Sequence, residues 1–106
     1  MYYNLKRIDS TGFEWTFGNY FKVQKHGLRI EEIERFFDQE LFVLADNPHS
    51  LEEKRKIAVG SINKRAAFVV FTIRKYGEQV FIRVISARYV HEKEIKIYEK
   101  LKKENA

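Results

Sequence analysis

Three β-rich runs crowd the second half of the chain: Lys56 to Ile62, Ala66 to Arg74 and Gln79 to Arg88. Only Asn63-Lys64 and the turn at Tyr76-Gly77 separate them. Parallel neighbours need a crossover of about a dozen residues, so connections this short restrict the runs to an antiparallel meander. Leu41 to Leu44 adds a short apolar strand, and Gly12 to Trp15 reads as a short extended piece. Phe17 to His26 predicts a helix, closed by Gly27 where a C-cap glycine belongs. Residues 30–38 predict a second helix, because Ile30, Ile33, Phe36 and Phe37 recur at three- and four-residue spacing. His91 to Lys103 predicts a third, with Ile95, Ile97, Tyr98 and Leu101 available for packing. Pro48, within Ala45 to Ser50, marks the clearest loop. The expected order is β-α-α-β-β-β-β-α, an α+β class with helices on an antiparallel sheet. At 106 residues the chain has room for one domain, 1–106.

The last hairpin sets out its side chains by strand alternation. A turn at Tyr76-Gly77 pairs Lys75 with Glu78, Phe71 with Ile82 and Val69 with Val84. Val69, Phe71 and Ile73 then share a wholly apolar face with Val80, Ile82 and Val84. The opposite face carries Phe68, Val70, Thr72 and Arg74 with Gln79, Phe81, Arg83 and Ile85. A one-residue slip would drive Arg83 into the core. Two readings of Arg83 stand: a groove cation for phosphates, or an arginine lying over the sheet and paired with a helix carboxylate. Arg88 is five residues on and points to the opposite face in a regular strand. The two serve one site only if the strand bends or ends near Ser86-Ala87. The same register sets Arg65 opposite Arg88 and gathers positive charge at that end.

Charge narrows the partner. Residues 1–53 carry 6 basic and 10 acidic side chains, and residues 54–106 carry 14 and 5, within a formal total of +5. A basic half points to a polyanion, nucleic acid first, against the plainer reading of a solvated Lys-rich helix. With no cysteine, disulfides, thiolate metal sites and cysteine nucleophiles are excluded. No apolar run approaches the roughly 18 residues of a membrane span, and Met1 to Ser10 has no apolar signal core. The expectation is a soluble, cytoplasmic protein with no membrane partner.

The sequence has no Gly-rich phosphate loop, no His-Glu-x-x-His motif and no Gly-x-Ser-x-Gly elbow. His26, His49 and His91 are too scattered to argue for a metal, so no metal and no cofactor is expected. As a histidine, His26 can move protons in catalysis, or it can simply interact favourably with a helix C-terminus. His91, with Glu94 three residues on, fits the N-cap of the last helix.

Phe13-Glu14-Trp15, Lys25-His26-Gly27 and Glu31-Glu32 before Phe37-Asp38 stand in order along the chain. Glu53 and Arg55 follow, ahead of Gly60, and then Val70-Phe71-Thr72 with Arg74. The most specific piece is Arg83-Val84-Ile85-Ser86-Ala87-Arg88, followed by Glu94 and Tyr98. Together these resemble the BrnT family of ribonuclease toxins, over Phe13 to about Glu99. The first dozen residues extend beyond the match and inherit no role. Thr16 stands where the family usually has Asp, Lys22 where it usually has Asn, and Arg29 where the second helix usually opens on a better cap. The resemblance implies a RelE-like fold and metal-independent RNA cleavage. It also implies neutralisation by a BrnA-type ribbon-helix-helix antitoxin, with DNA bound only through that complex. Residue chemistry then assigns roles. Arg83 and Arg88 hold the phosphate, His26 is the general acid or base, and Lys25 helps electrostatically. Arg55, Arg74 and Tyr98 position RNA. The alternative is a catalytically inactive member that only binds antitoxin or nucleic acid.

Overall fold

Two consecutive residues, Asn63 and Lys64, take left-handed backbone angles (φ 51° and 66°). That pair of positive φ values matches the right-handed twist of a tight hairpin. It joins β4 (Lys56–Ile62) to β5 (Arg65–Tyr76), with Ile62 opposite Arg65. The second hairpin turns at Gly77, φ 63°, and Glu78, and leads into β6 (Gln79–Tyr89). This is the antiparallel meander, seen in a computed structural model that describes residues 3–44 and 55–104. The expected Ala45–Ser50 loop, and Glu53, lie outside the described residues.

Among the described residues, six strands run in the order β1-β3-β4-β5-β6-β2. β3 (Leu41–Leu44) pairs antiparallel with β4. β1 (Tyr3–Lys6) pairs antiparallel with β3, and β2 (Gly12–Phe13) runs parallel to β6. An extra strand thus precedes the expected elements, and residues 3–13 supply both edges of the sheet among the described residues. Residues 1–12, expected as an extension beyond the family resemblance, contribute a strand that the sequence did not announce. A four-residue strand is too short to carry a readable alternation.

α1 spans Phe17–Lys22, shorter than expected. Thr16 caps it, its Oγ1 accepting from the Asn19 N–H at 3.2 Å. Beyond Lys22 the backbone tightens to three-residue bonds, Gln24 N–H to Phe21 O and Lys25 N–H to Lys22 O. Gly27 then turns the chain at φ 91°. This path sinks Val23 and Leu28 into the core, which a straight helix to His26 would not do. α2 (Ile30–Phe36) buries Ile30, Ile33 and Phe36. Glu32 reaches back and accepts from the Arg29 N–H at 3.0 Å, the half of a capping box that needs no acceptor on the Arg29 side chain. A 3₁₀ turn (Glu92–Glu94) opens into α3 (Ile95–Glu104). His91 stands in front of it, its N–H bonded to Glu94 at 2.9 Å.

The expected face grouping of the last hairpin holds, but its register is corrected. Tyr76 opposes Gln79, so Phe71 meets Val84 and Ile73 meets Ile82. That is a shift of two residues, which leaves every side chain on its face. The register then breaks between Val70 and Phe71, because Val70 opposes Ser86 and Ile85 is left without a partner. Past this bulge, Ala87 rather than Ser86 joins the inner face. The inner face, with Val69, Phe71, Ile82, Val84 and Ala87, packs under α2 and the turn after α1. The outer face has a smaller apolar cluster, Phe42 and Val59 with Phe68 and Tyr98, beneath α3.

Gly60 sits against Leu41 of β3 and Phe36 of α2 with no room for a side chain. An added Cβ would lie 2.5 Å from Leu41 Cδ2 and 3.0 Å from Phe36 Cε2, both on fully buried side chains. Gly60→Ala is expected to destabilise the fold by about 1–3 kcal/mol through overpacking. Urea unfolding measures this, and an unchanged midpoint would contradict the packing described.

Candidate nucleic-acid interface

The bulge at Ile85 decides which arginines share a surface. Before it, Arg83 opposes Thr72; after it, Arg88 opposes Phe68. Thr72, Val70 and Phe68 alternate along one face of β5, so Arg83, Ser86 and Arg88 share that outer face. Without the extra residue, five-residue spacing would send Arg88 to the core. The two backbones are roughly 13 Å apart along the strand, four residues at about 3.3 Å each. Arg65 does not join them. It opposes Ile62, and its guanidinium lies over the Tyr89 ring at 3.9 Å, so the expected Arg65–Arg88 pairing is corrected.

Around Arg83 the outer face converges on Glu14. β2 ends at Phe13, and the Glu14 N–H bonds Ile82 O at 2.9 Å, holding the residue beside β6. Glu14 Oε1 accepts from Arg74 Nη1 at 2.9 Å and lies 3.7 Å from Arg83 Nη1. Its Oε2 accepts from the Tyr76 hydroxyl at 2.6 Å. The Tyr76 hydrogen bond and then the two arginines hold the Glu14 carboxyl below the ordinary carboxylate range, with partial burial working against them. Arg83 is thus paired with a carboxylate, as one reading expected, but from a strand end rather than a helix. Its Nε–H is buried and has no hydrogen-bond partner, an unused donor in a one-quarter-exposed side chain. Beside it, Asn19 of α1 donates to Val84 O at 2.6 Å, while its buried Oδ1 is also unpartnered.

Arg88 forms a second centre. Its two terminal nitrogens grip Glu94 at 2.8 and 3.0 Å, and the guanidinium stands 5.1 Å from the Phe68 ring centre. The bidentate pair ties β6 to the start of the last helix. Tyr98 packs edge-on to Phe42 at 6.4 Å, and burial pushes its hydroxyl pKa up.

The other expected site residues sit apart. Lys25 and His26 are exposed in the turn after α1, and no side-chain hydrogen bond or ion pair joins either to a described residue. His26 therefore does not cap a helix C-terminus, since α1 ends at Lys22. Arg55 is exposed immediately before β4. Sequence reading passed over Glu14 and Tyr76, because contacts spanning 60 and 62 residues leave no local pattern. It also passed over Phe17 and Phe21, stacked edge-on at 5.1 Å and 86% and 59% exposed. Their helical spacing reads as core, whereas α1 buries no side chain of its own. Among the described residues, no cluster of three metal-ligating side chains occurs, and no helix is long and apolar enough to cross a membrane.

The Arg88–Glu94 pair has a pH signature. The Arg88 hydrogen bonds, and then the His91 N–H, lower the Glu94 pKa from 4.5 to about 2. A depressed carboxylate stabilises the fold fully above its unfolded pKa and loses that contribution as pH falls toward the folded value. Melting temperature is expected to fall between pH 5 and 2, and less steeply in Glu94→Gln. Equal slopes in both proteins would contradict the pairing.

Comparison with known proteins adds the family. No curated protein matches the chain. The family model described as the ribonuclease toxin BrnT of type II toxin–antitoxin systems matches residues 19–94, which takes in the later part of α1, all of α2 and β3 to β6, and Arg74, Arg83, Arg88 and Glu94, while Glu14 lies before it. With well over half of its length matched, the chain belongs to the BrnT family of type II toxin–antitoxin ribonuclease toxins.

Proposed function

We propose that the chain is a metal-independent RNA endonuclease with a RelE-like catalytic face. One observation carries this reading: the bulge at Ile85 sets Arg83 and Arg88 on one face, with Arg74 beside the first. In the proposed reaction a ribose 2′-hydroxyl attacks the adjacent phosphate and leaves a 2′,3′-cyclic phosphate. Planar guanidinium groups suit the charge-rich phosphorane. Arg83 has the spare donor and the looser carboxylate contact, so it is the first phosphate ligand, and Arg88 is the second. His26 moves a proton, Lys25 supports it electrostatically, and Arg55 and Arg74 guide the strand. The exposed rings of Phe17 and Phe21 offer bases a stacking surface, and Tyr98, half-buried and edge-on to Phe42, is a further ring for the strand.

The family implies an antitoxin partner. We propose a BrnA-type ribbon-helix-helix protein that covers the arginine face and contacts DNA on behalf of the complex. Electrostatic assistance predicts that their association slows as salt rises. Stopped-flow rates measure this, and a salt-independent rate would place the affinity in packing.

A binding-only protein is the second reading, favoured by the carboxylates already seated on Arg74 and Arg88. Cleavage of naked RNA in EDTA separates the two. Wild type is expected to cut, Arg83→Ala to lose about 10²–10³-fold in rate, and His26→Ala to lose activity as well. Full activity in both variants would overturn the site assignment, and RNA binding without any scission would establish the second reading.

A further inference from the structure

We propose that the Glu14 carboxylate is the general base that takes the proton from the attacking ribose 2′-hydroxyl. The inference rests on the RNA-cleavage reading and adds a residue that the reading did not contain. A general base must lie within hydrogen-bond reach of its proton. Glu14 Oε1 lies 3.7 Å from Arg83 Nη1, so a phosphate gripped by Arg83 brings its neighbouring 2′-oxygen to the carboxylate. The carboxylate is also pre-aimed. Its backbone N–H is pinned to Ile82 O, Oε1 is held by Arg74, and Oε2 is held by Tyr76. Its side chain is 23% exposed, open enough to meet a ligand. His26, in contrast, is tied to no described residue.

The step balances without a co-reactant. The 2′-O–H proton passes to a Glu14 oxygen as the 2′-O–P bond forms. The P–O5′ bond breaks, the 5′-oxygen takes a proton from His26, which regains one from solvent, and protonated Glu14 returns its proton to solvent. Arg74 and Arg83 face the carboxylate from β5 and β6 and hold the charge that builds on the phosphorane oxygens. The charged and titratable groups around Glu14 are Arg74, Arg83 and Tyr76.

The test uses the full chain, an oligoribonucleotide, and the same oligomer with a 2′-deoxy residue at the cut. Glu14→Gln is expected to lose at least about 100-fold in cleavage rate, while it still binds the deoxy oligomer. Tyr76→Phe removes the strongest of the contacts that lower the Glu14 pKa, from a residue 52% exposed. The acidic limb of its kcat/KM profile is therefore expected to move to higher pH, which a structural role for Glu14 would not produce. Glu14→Gln cutting at the wild-type rate, or an unmoved acidic limb in Tyr76→Phe, overturns the base assignment while cleavage itself stands. A wild-type chain that cuts no RNA removes the cleavage reading, and the base with it.

Discussion

One unpaired residue in β6 governs the chemistry of the sheet. Inner-face demand for apolar side chains fixes Ile82 and Val84 inward, and the same demand fixes Ala87 inward after the bulge. Two residues rather than one lie between Val84 and Ala87, so the ladder must absorb one, and Ile85 is the one left unpaired. Arg83 and Arg88 come to the same side as a consequence of core packing. A regular ladder could keep only one of them out of the core.

The rest of the outer face follows from what two arginines require. Each guanidinium has a carboxylate within reach: Glu14 for Arg83, shared with Arg74, and Glu94 for Arg88. Both carboxylates come from the ends of other elements, Glu14 just after β2 and Glu94 in the turn before α3. The arginines thus hold an edge strand and the final helix to the meander. The two pairs differ in kind. Glu94 meets Arg88 through two parallel bonds, whereas Arg83 keeps a looser contact and a buried Nε–H without a partner. The first geometry favours structure, and the second leaves capacity for a ligand.

Much of this was legible in the sequence, for identifiable reasons. Short connections fixed the meander, and the period-two pattern assigned faces correctly even though the turn moved from Tyr76-Gly77 to Gly77-Glu78. A two-residue shift preserves parity, so the hydrophobic pattern could not detect it. The bulge was harder to see, because Val84-Ile85-Ser86-Ala87 reads equally as a strand end. The Tyr3–Lys6 strand was too short to announce itself, and α1 ended early because Val23 and Leu28 pull the chain into the core. Glu14 stood in plain view between two aromatics. Its partners Arg74, Tyr76 and Arg83 lie 60 or more residues away and became neighbours only when β2 docked beside β6.

In the proposed function Arg83 and Arg88 act as one surface for RNA. Side-chain Nε–H resonances of ¹⁵N-labelled protein report this directly during titration with a 2′-O-methylated, uncleavable oligoribonucleotide. The account predicts that Arg83 and Arg88 shift together along one binding curve, while Arg65, over Tyr89 and away from that face, stays in place. Shifts at Arg65 with Arg83 and Arg88 unmoved would contradict it.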